Sequence, residues 1–340
     1  MSSSELIPAG GPNRPAVSLV TTIRNEAESL PTLLDSLERQ TLPPREVIVV
    51  DGGSTDGSLE VLLSWRGRLP LAVVSRPGAN ISQGRNAGIS LASCDFVAVT
   101  DAGVLLDPDW LERLVAPLVQ SVVPVDVSAG FFEPDTRNLF EDALAATSLP
   151  DVREIDPLNF LPSSRSVAFR KSWFDAGVRY PEWLDYCEDL VFDLRLQQAG
   201  ARFRFQPDAI VRFRPRRSVR SFWTQYHHYA RGDGKAGLFW RRHLARYLTY
   251  TVAVPLALPV RSWRLRLIVI LAALAYMRAP MQRLWRRSDG DVGYVVRRTP
   301  VTTLLRLIGD FAKMAGYPEG LLWRARRYGL KHDWRSIPDE

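Results

Sequence analysis

Along the first two hundred positions, apolar residues fall into two alternating patterns, short unbroken runs and runs spaced at three and four. The unbroken runs at 16–23, 47–50, 71–75 and 96–100 have the length and β-branched content of buried strands. Between them, Leu30, Leu33, Leu34 and Leu37 mark a helix over 28–40, residues 61–65 belong to a second helix, and a third begins near Ser82. This repeated alternation predicts an α/β fold with a doubly wound parallel sheet. Asp107-Pro108 then opens a helix with Asp107 as its cap, and 122–132 reads as a further strand. A helix over 186–196 is expected to bury Leu190, Val191 and Leu194 and to stop at Gly200, and period-two stretches at 202–205 and 210–214 predict two half-buried closing strands.

Beyond 219 the pattern changes. Two apolar stretches, 247–260 and 267–277, are separated by Arg261, Arg264 and Arg266, and each is shorter than the roughly 20 residues of a membrane span. A re-entrant hairpin or interfacial helices fit them best, with Trp240, Trp263 and Trp285 as anchors and flanking arginines facing anionic headgroups. A soluble helical subdomain is the competing reading. A further helix is expected at 304–315, and residues 1–15 read as a loose tail with no signal peptide.

Charge divides the chain at about the same place. Residues 1–200 carry 28 acidic and 16 basic side chains, a net −12, whereas residues 201–340 carry 9 acidic and 28 basic, a net +19. A basic half suits an anionic surface, and without a recognisable nucleic-acid module a membrane surface is favoured over nucleic acid. The two cysteines, Cys94 and Cys187, lack metal or disulfide spacing and fit a reducing, cytoplasmic setting.

The strand ends carry the candidate chemistry. Asp51 reaches the carboxyl edge of the second strand, where it either caps the following Gly-Ser turn or accepts hydrogen bonds from a base or ribose. The helix after it is expected to begin between Ser54 and Gly57, capped by Thr55 or Asp56. Arg85, in the first turns of the third helix, opposes the helix dipole unless an anion offsets it, which favours a phosphate-facing role. Asp101 ends the fourth strand on the same edge. Glu188 and Asp189 sit at a helix amino end, where the dipole keeps carboxylates ionised.

In order, Thr22-x-Arg24-Asn25-Glu26, Val50-Asp51-Gly52-Gly53-Ser54-Thr55-Asp56-Gly57, Gly84-Arg85-Asn86-x-Gly88, Thr100-Asp101-Ala102-Gly103 and Glu188-Asp189 resemble the landmarks of family 2 inverting glycosyltransferases. That resemblance spans roughly 16–215 and implies a GT-A fold, a nucleotide-diphospho-sugar transferase-like mixed sheet, over 16–218, with a helical basic region over 219–340.

For site residues it implies donor recognition by Thr22, Arg24, Glu26, Asp51, Arg85 and Asp101. It implies Asp189 as general base, and Glu188 as its orienting or acceptor-contacting neighbour. Ser163, Ser164 and Arg165 fall on the acceptor side. His227, His228, Arg231 and Lys235 fall near the diphosphate. Asp101 is implied as ligand of a Mg2+ or Mn2+ ion, although Gly103 stands where the family's Asp-x-Asp has its second carboxylate.

The function expected is non-processive, metal-assisted transfer from a UDP-, GDP- or dTDP-linked sugar to a lipid-linked or envelope glycan at the cytoplasmic membrane face. The absence of a Gln-x-x-Arg-Trp motif favours the non-processive form. A turnover-impaired nucleotide-sugar-binding or scaffold protein and a nucleotidyltransferase are the alternatives.

Overall fold

The computed structural model describes residues 14–257, 259 and 262–338. The 1–13 part of the expected tail, and Leu258, Val260 and Arg261 of the 247–266 region, lie outside the described residues. Among those described, one mixed eight-stranded sheet forms the frame, in the order β3-β2-β1-β4-β7-β6-β8-β5.

The first four strands, β1 (Val17–Ile23), β2 (Glu46–Asp51), β3 (Leu71–Ser75) and β4 (Phe96–Val99), run parallel as expected. The rest are β5 (Val104–Leu106), β6 (Val127–Pro134), β7 (Val167–Arg170) and β8 (Phe203–Phe213). β7 is antiparallel to both β4 and β6, which makes the sheet mixed. The short β5, antiparallel to β8, had no counterpart in the sequence reading. Two expectations change here. Val122 and Val123 are exposed outside β6, because Pro124 breaks the run, and Phe203–Phe213 forms one long strand in place of two.

Helices α1 (Leu30–Glu38), α2 (Ser58–Ser64), α3 (Ile81–Leu91) and α4 (Trp110–Gln120) cover the parallel half. Leu30, Leu33, Leu34 and Leu37 are buried as the spacing predicted, on the same face of the sheet as Trp110, Leu111 and Leu114 of α4. Of two expected caps, Asp56 forms and Asp107 does not. α2 begins after Gly57, with Asp56 accepting from the Ser58 amide at 3.1 Å, and Asp107 pairs with Arg212 instead of capping α4. The short helices α5 (Leu139–Ser148) and α6 (Lys171–Asp175) follow, then α7 (Glu188–Gln198). In α7 it is Val191, Phe192, Asp193 and Leu196 that are buried, while Leu190 and Leu194 are only partly covered.

The basic half is helical: α8 (Val219–Ala236), α9 (Trp240–Tyr247), a π-helical turn over Leu248–Ala253, α10 (Val254–Ala257), α11 (Trp263–Arg287) and α12 (Val292–Arg327). The apolar stretch at 267–277 therefore belongs to an unbroken helix of 25 residues, long and apolar enough to cross a membrane, and its most apolar window is only 6% buried. α12 packs backbone to backbone on α8. A Cβ on Gly316 would lie 2.0 Å from the His227 carbonyl oxygen, one on Gly320 2.0 Å from that of Arg231, and one on Gly234 2.4 Å from that of Tyr317. α5, in a segment that the sequence left without a role, joins the halves: Thr147 Oγ1 donates to Thr302 O at 3.4 Å, and Arg298 Nε to Asp142 Oδ2 at 2.8 Å.

Because no side chain can relax a clash between two backbones, Gly316→Ala is expected to cost about 1–3 kcal/mol in chemical denaturation. Gly103→Ala, whose Cβ meets nothing within 4 Å, should be near neutral.

Candidate functional site

The site forms where the turn after β4 and helix α3, which rests on β1 and β2, meet the amino end of α7. Gly84 and Gly88 set its geometry. A Cβ at Gly84 would come within 2.7 Å of Thr22 Cγ2, and one at Gly88 within 2.5 Å of Val20 Cγ1, so α3 lies almost directly on β1 and β2. Thr22 is thus first a packing partner of α3. A capping box between Asn80 and Gln83 starts this helix. Hydrogen bonds then stitch it to the segment before α7: Asn80 Nδ2 to Glu182 O at 2.6 Å, Ser82 Oγ to Leu184 O at 3.2 Å, and Asn86 Nδ2 to Tyr180 O at 2.9 Å.

Arg85 is held inside this joint, its side chain 3% exposed. Nη1 donates to Glu188 Oε1 at 2.7 Å, Nη2 donates to Asp101 Oδ1 at 2.9 Å, and the guanidinium lies 5.3 Å from the Tyr180 ring centroid. Arg165 approaches Asp101 from the other side, with Nε 3.4 Å from Oδ2, 4.7 Å above the Phe213 ring. Asp189 completes the cluster, accepting from the Leu190 amide at 2.8 Å and acting electrostatically on Arg85, Arg165, Glu188 and Tyr229. Three of the predicted landmarks, near 85, 101 and 188–189, thereby converge on one spot.

Burial, reinforced by the charge of Asp189, pushes the Glu188 carboxyl up to about 7 against the pull of Arg85. Burial and Asp189 likewise raise the Asp193 carboxyl well above its ordinary value, and its Oδ2 has no hydrogen-bond partner among the described residues. Asp193 was missed in the sequence, although its spacing of four from Asp189 puts both on one helix face. Arg85 remains charged despite burial, because Glu188 and Asp101 flank it. Cys187, directly before the pair, holds left-handed backbone with φ 66°, and its thiol donates to Tyr229 O at 3.3 Å and lies 3.6 Å from Asp233 Oδ1.

Other predicted residues are placed differently. Asp51, 1% exposed, realises the capping reading, since Oδ1 accepts from Ser54 N at 3.0 Å and Ser54 Oγ at 2.6 Å. Glu26 accepts from the Ser29 hydroxyl and Arg24 is exposed. Ser164 is buried against the Tyr180 hydroxyl at 2.9 Å, so it presents nothing to an acceptor, while Ser163 Oγ accepts from Arg165 Nη1 at 3.2 Å. On α8, His227 pairs with Glu319 at 3.0 Å and His228 packs on the Tyr186 ring at 4.7 Å. Arg231 and Lys235 both bind Asp185, a residue absent from the sequence reading. A cavity of about 800 Å³ lined by residues 75–79, α3, Arg179 and Glu182 contains none of the acid cluster, so chemistry locates the site and cavity size does not.

The residues present do not fit a divalent ion at Asp101. Both of its oxygens already face guanidinium groups, and Gly103 supplies no donor. Like unit charges 4 Å apart repel by about 4 kcal/mol in a partly screened site, and a dication doubles that. Among the described residues, no group of three His, Cys, Asp or Glu is arranged to hold a metal.

Comparison with known proteins gives consistent relatives. Residues 18–175 match the family described as Glycosyl transferase family 2. A validoxylamine A glucosyltransferase of Streptomyces hygroscopicus subsp. jinggangensis is 35% identical over 186 residues, covering 52% of this chain and 44% of that protein. A pre-mycofactocin glycosyltransferase of Mycobacterium tuberculosis is 28% identical over 237 residues, covering 63% and 46%. The chain thus spans less than half the length of these curated relatives. Among solved structures, the mannosyltransferase PcManGT of Pyrobaculum calidifontis, in complex with GDP-Man and Mn2+, shares the fold, with a TM-score of 0.58 and 19% identity over 89% of this chain and 88% of that one.

A carboxyl whose folded value lies above its ordinary 4.5 stabilises fully below that pH and loses the contribution as pH rises through about 7. Replacing Glu188 with Gln removes this loss. The difference in thermal midpoint, variant minus wild type, should therefore climb between pH 4.5 and 7 in scanning calorimetry; a pH-independent difference contradicts the assignment.

Proposed function

We propose, from the match of residues 18–175 to Glycosyl transferase family 2, that the chain moves a sugar, with inversion, from a nucleoside-diphosphate donor to an acceptor hydroxyl. The observation that carries this reading is the Arg85-centred cluster joining Asp101, Glu188 and Asp189 at the carboxyl edge of the sheet. In open α/β sheets that edge receives nucleotide ligands.

Asp189, partly exposed at the amino end of α7, is the general base. It takes the proton of the acceptor hydroxyl as that oxygen attacks the anomeric carbon. The bond from that carbon to the diphosphate oxygen breaks, and the electron pair leaves with the nucleoside diphosphate. Glu188 and Arg85 orient the base, while Thr22, Arg24, Glu26 and Asp51 line the donor's nucleoside side. Asp51 serves there through its hold on the Ser54 turn.

The acceptor is a lipid-linked or envelope glycan, and α11 brings the enzyme to the membrane that carries it. Trp263, Leu267, Ile268, Ile270, Leu271 and Leu274 expose an apolar surface, with Arg264 and Arg266 nearby for anionic headgroups. The other half of the helix is tied down, with Leu284 buried and Arg283 donating to Ala146 O at 3.1 Å.

Asp189→Asn is expected to lower transfer by about 10²–10⁴-fold while nucleotide affinity stays within about threefold. Retained turnover would remove Asp189 from its role; lost nucleotide binding would point to misfolding of the edge. In flotation assays the chain should bind vesicles containing anionic lipid and resist release by high salt. Ile268→Asp with Leu271→Asp should abolish that binding, and a wild type that stays with the aqueous fraction contradicts the membrane reading.

A further inference from the structure

Asp101 is the only carboxylate in the Thr100-Asp101-Ala102-Gly103 turn, and its two oxygens are divided between two arginines. These arginines differ in freedom. Arg85 is sealed in, 3% exposed and bonded at its other nitrogen to Glu188, so it can only neutralise. Arg165 is 25% exposed, beside an Asp101 that is 28% exposed. Its position is fixed from several sides: its backbone oxygen accepts from Thr100 Oγ1 at 2.8 Å, Nη1 donates to Ser163 Oγ at 3.2 Å, and the guanidinium rests over Phe213. A planar, partly exposed guanidinium, with its neighbouring carboxylate neutralised from behind, is suited to bidentate recognition of phosphate.

Resting on the sugar-transfer reading above, we propose that Arg165 takes the place of a divalent ion, so that this chain binds a nucleoside diphosphate, and releases it as leaving group, without metal. Arg85 cancels the charge of Asp101, which would otherwise repel the phosphates or attract a cation. Gly103 removes the second carboxylate, and the space where its Cβ would stand is open within 4 Å. The leaving diphosphate departs with its electron pair and is met by the N–H groups of Arg165, with no other reactant required.

Calorimetric titration of the full chain with UDP, GDP and dTDP, first in EDTA and then in Mn2+, tests this, with Mn2+ binding followed separately by electron paramagnetic resonance. At least one nucleotide should bind, with Kd changing by less than about threefold between the two conditions. Arg165→Gln should weaken that nucleotide by about tenfold or more in EDTA, as expected for a lost charge-assisted pair, with Arg165→Lys between. Gly103→Asp restores a second carboxylate and should bind Mn2+ in the presence of nucleotide where the wild type does not. Nucleotide binding that requires Mn2+, or a wild-type Mn2+ signal equal to that of Gly103→Asp, overturns the proposal and leaves sugar transfer standing. A chain that binds no nucleotide in either condition overturns both. The EDTA comparison uses only wild-type protein, so poor folding of a variant does not blunt it.

Discussion

The structure turns on burying one guanidinium between two carboxylates. A charge so enclosed is tolerated only where its partners are close and well aligned, and removal of one partner costs far more than the pair contributes. Arg85 meets that condition because two unrelated stretches are brought to it, the turn after β4 with Asp101 and the start of α7 with Glu188. Everything around it serves to hold those stretches in place. Gly84 and Gly88 let α3 settle onto the sheet, and Asn80, Ser82 and Asn86 fix the segment that leads into α7.

This arrangement gives the two neighbouring acids different characters. Glu188 is turned inward, where burial raises its carboxyl to about 7, while Asp189, one residue later, faces partly outward. Adjacent positions on a helix lie about 100° apart, so a single turn of α7 suffices to separate a buried acid from a partly exposed one.

Much of this was legible in the sequence, for identifiable reasons. Continuous apolar runs gave the cores of β2 and β4, and the leucine spacing gave α1, because burial leaves a strong trace in the sequence. The strand-end carboxylates followed from the same pattern. Pairing partners were another matter. Nothing in the spacing tells that Asp185 collects Arg231 and Lys235, or that Ser164 turns inward to Tyr180. Those contacts join residues by folding rather than by period. β5 escaped notice because three residues are too few to show a rhythm, and α11 because the arginines near its start masked a helix whose apolar face continues past them.

The left-handed backbone at Cys187 bears on how the two halves relate. Its thiol is lodged against α8, where a side chain on Gly232 would strike the Tyr186 carbonyl oxygen at 2.5 Å. The residue that aims Glu188 and Asp189 is therefore braced by a helix from across the charge boundary. Swapping the basic half for that of a relative would disturb the aim of these two acids unless this brace were grafted along with it.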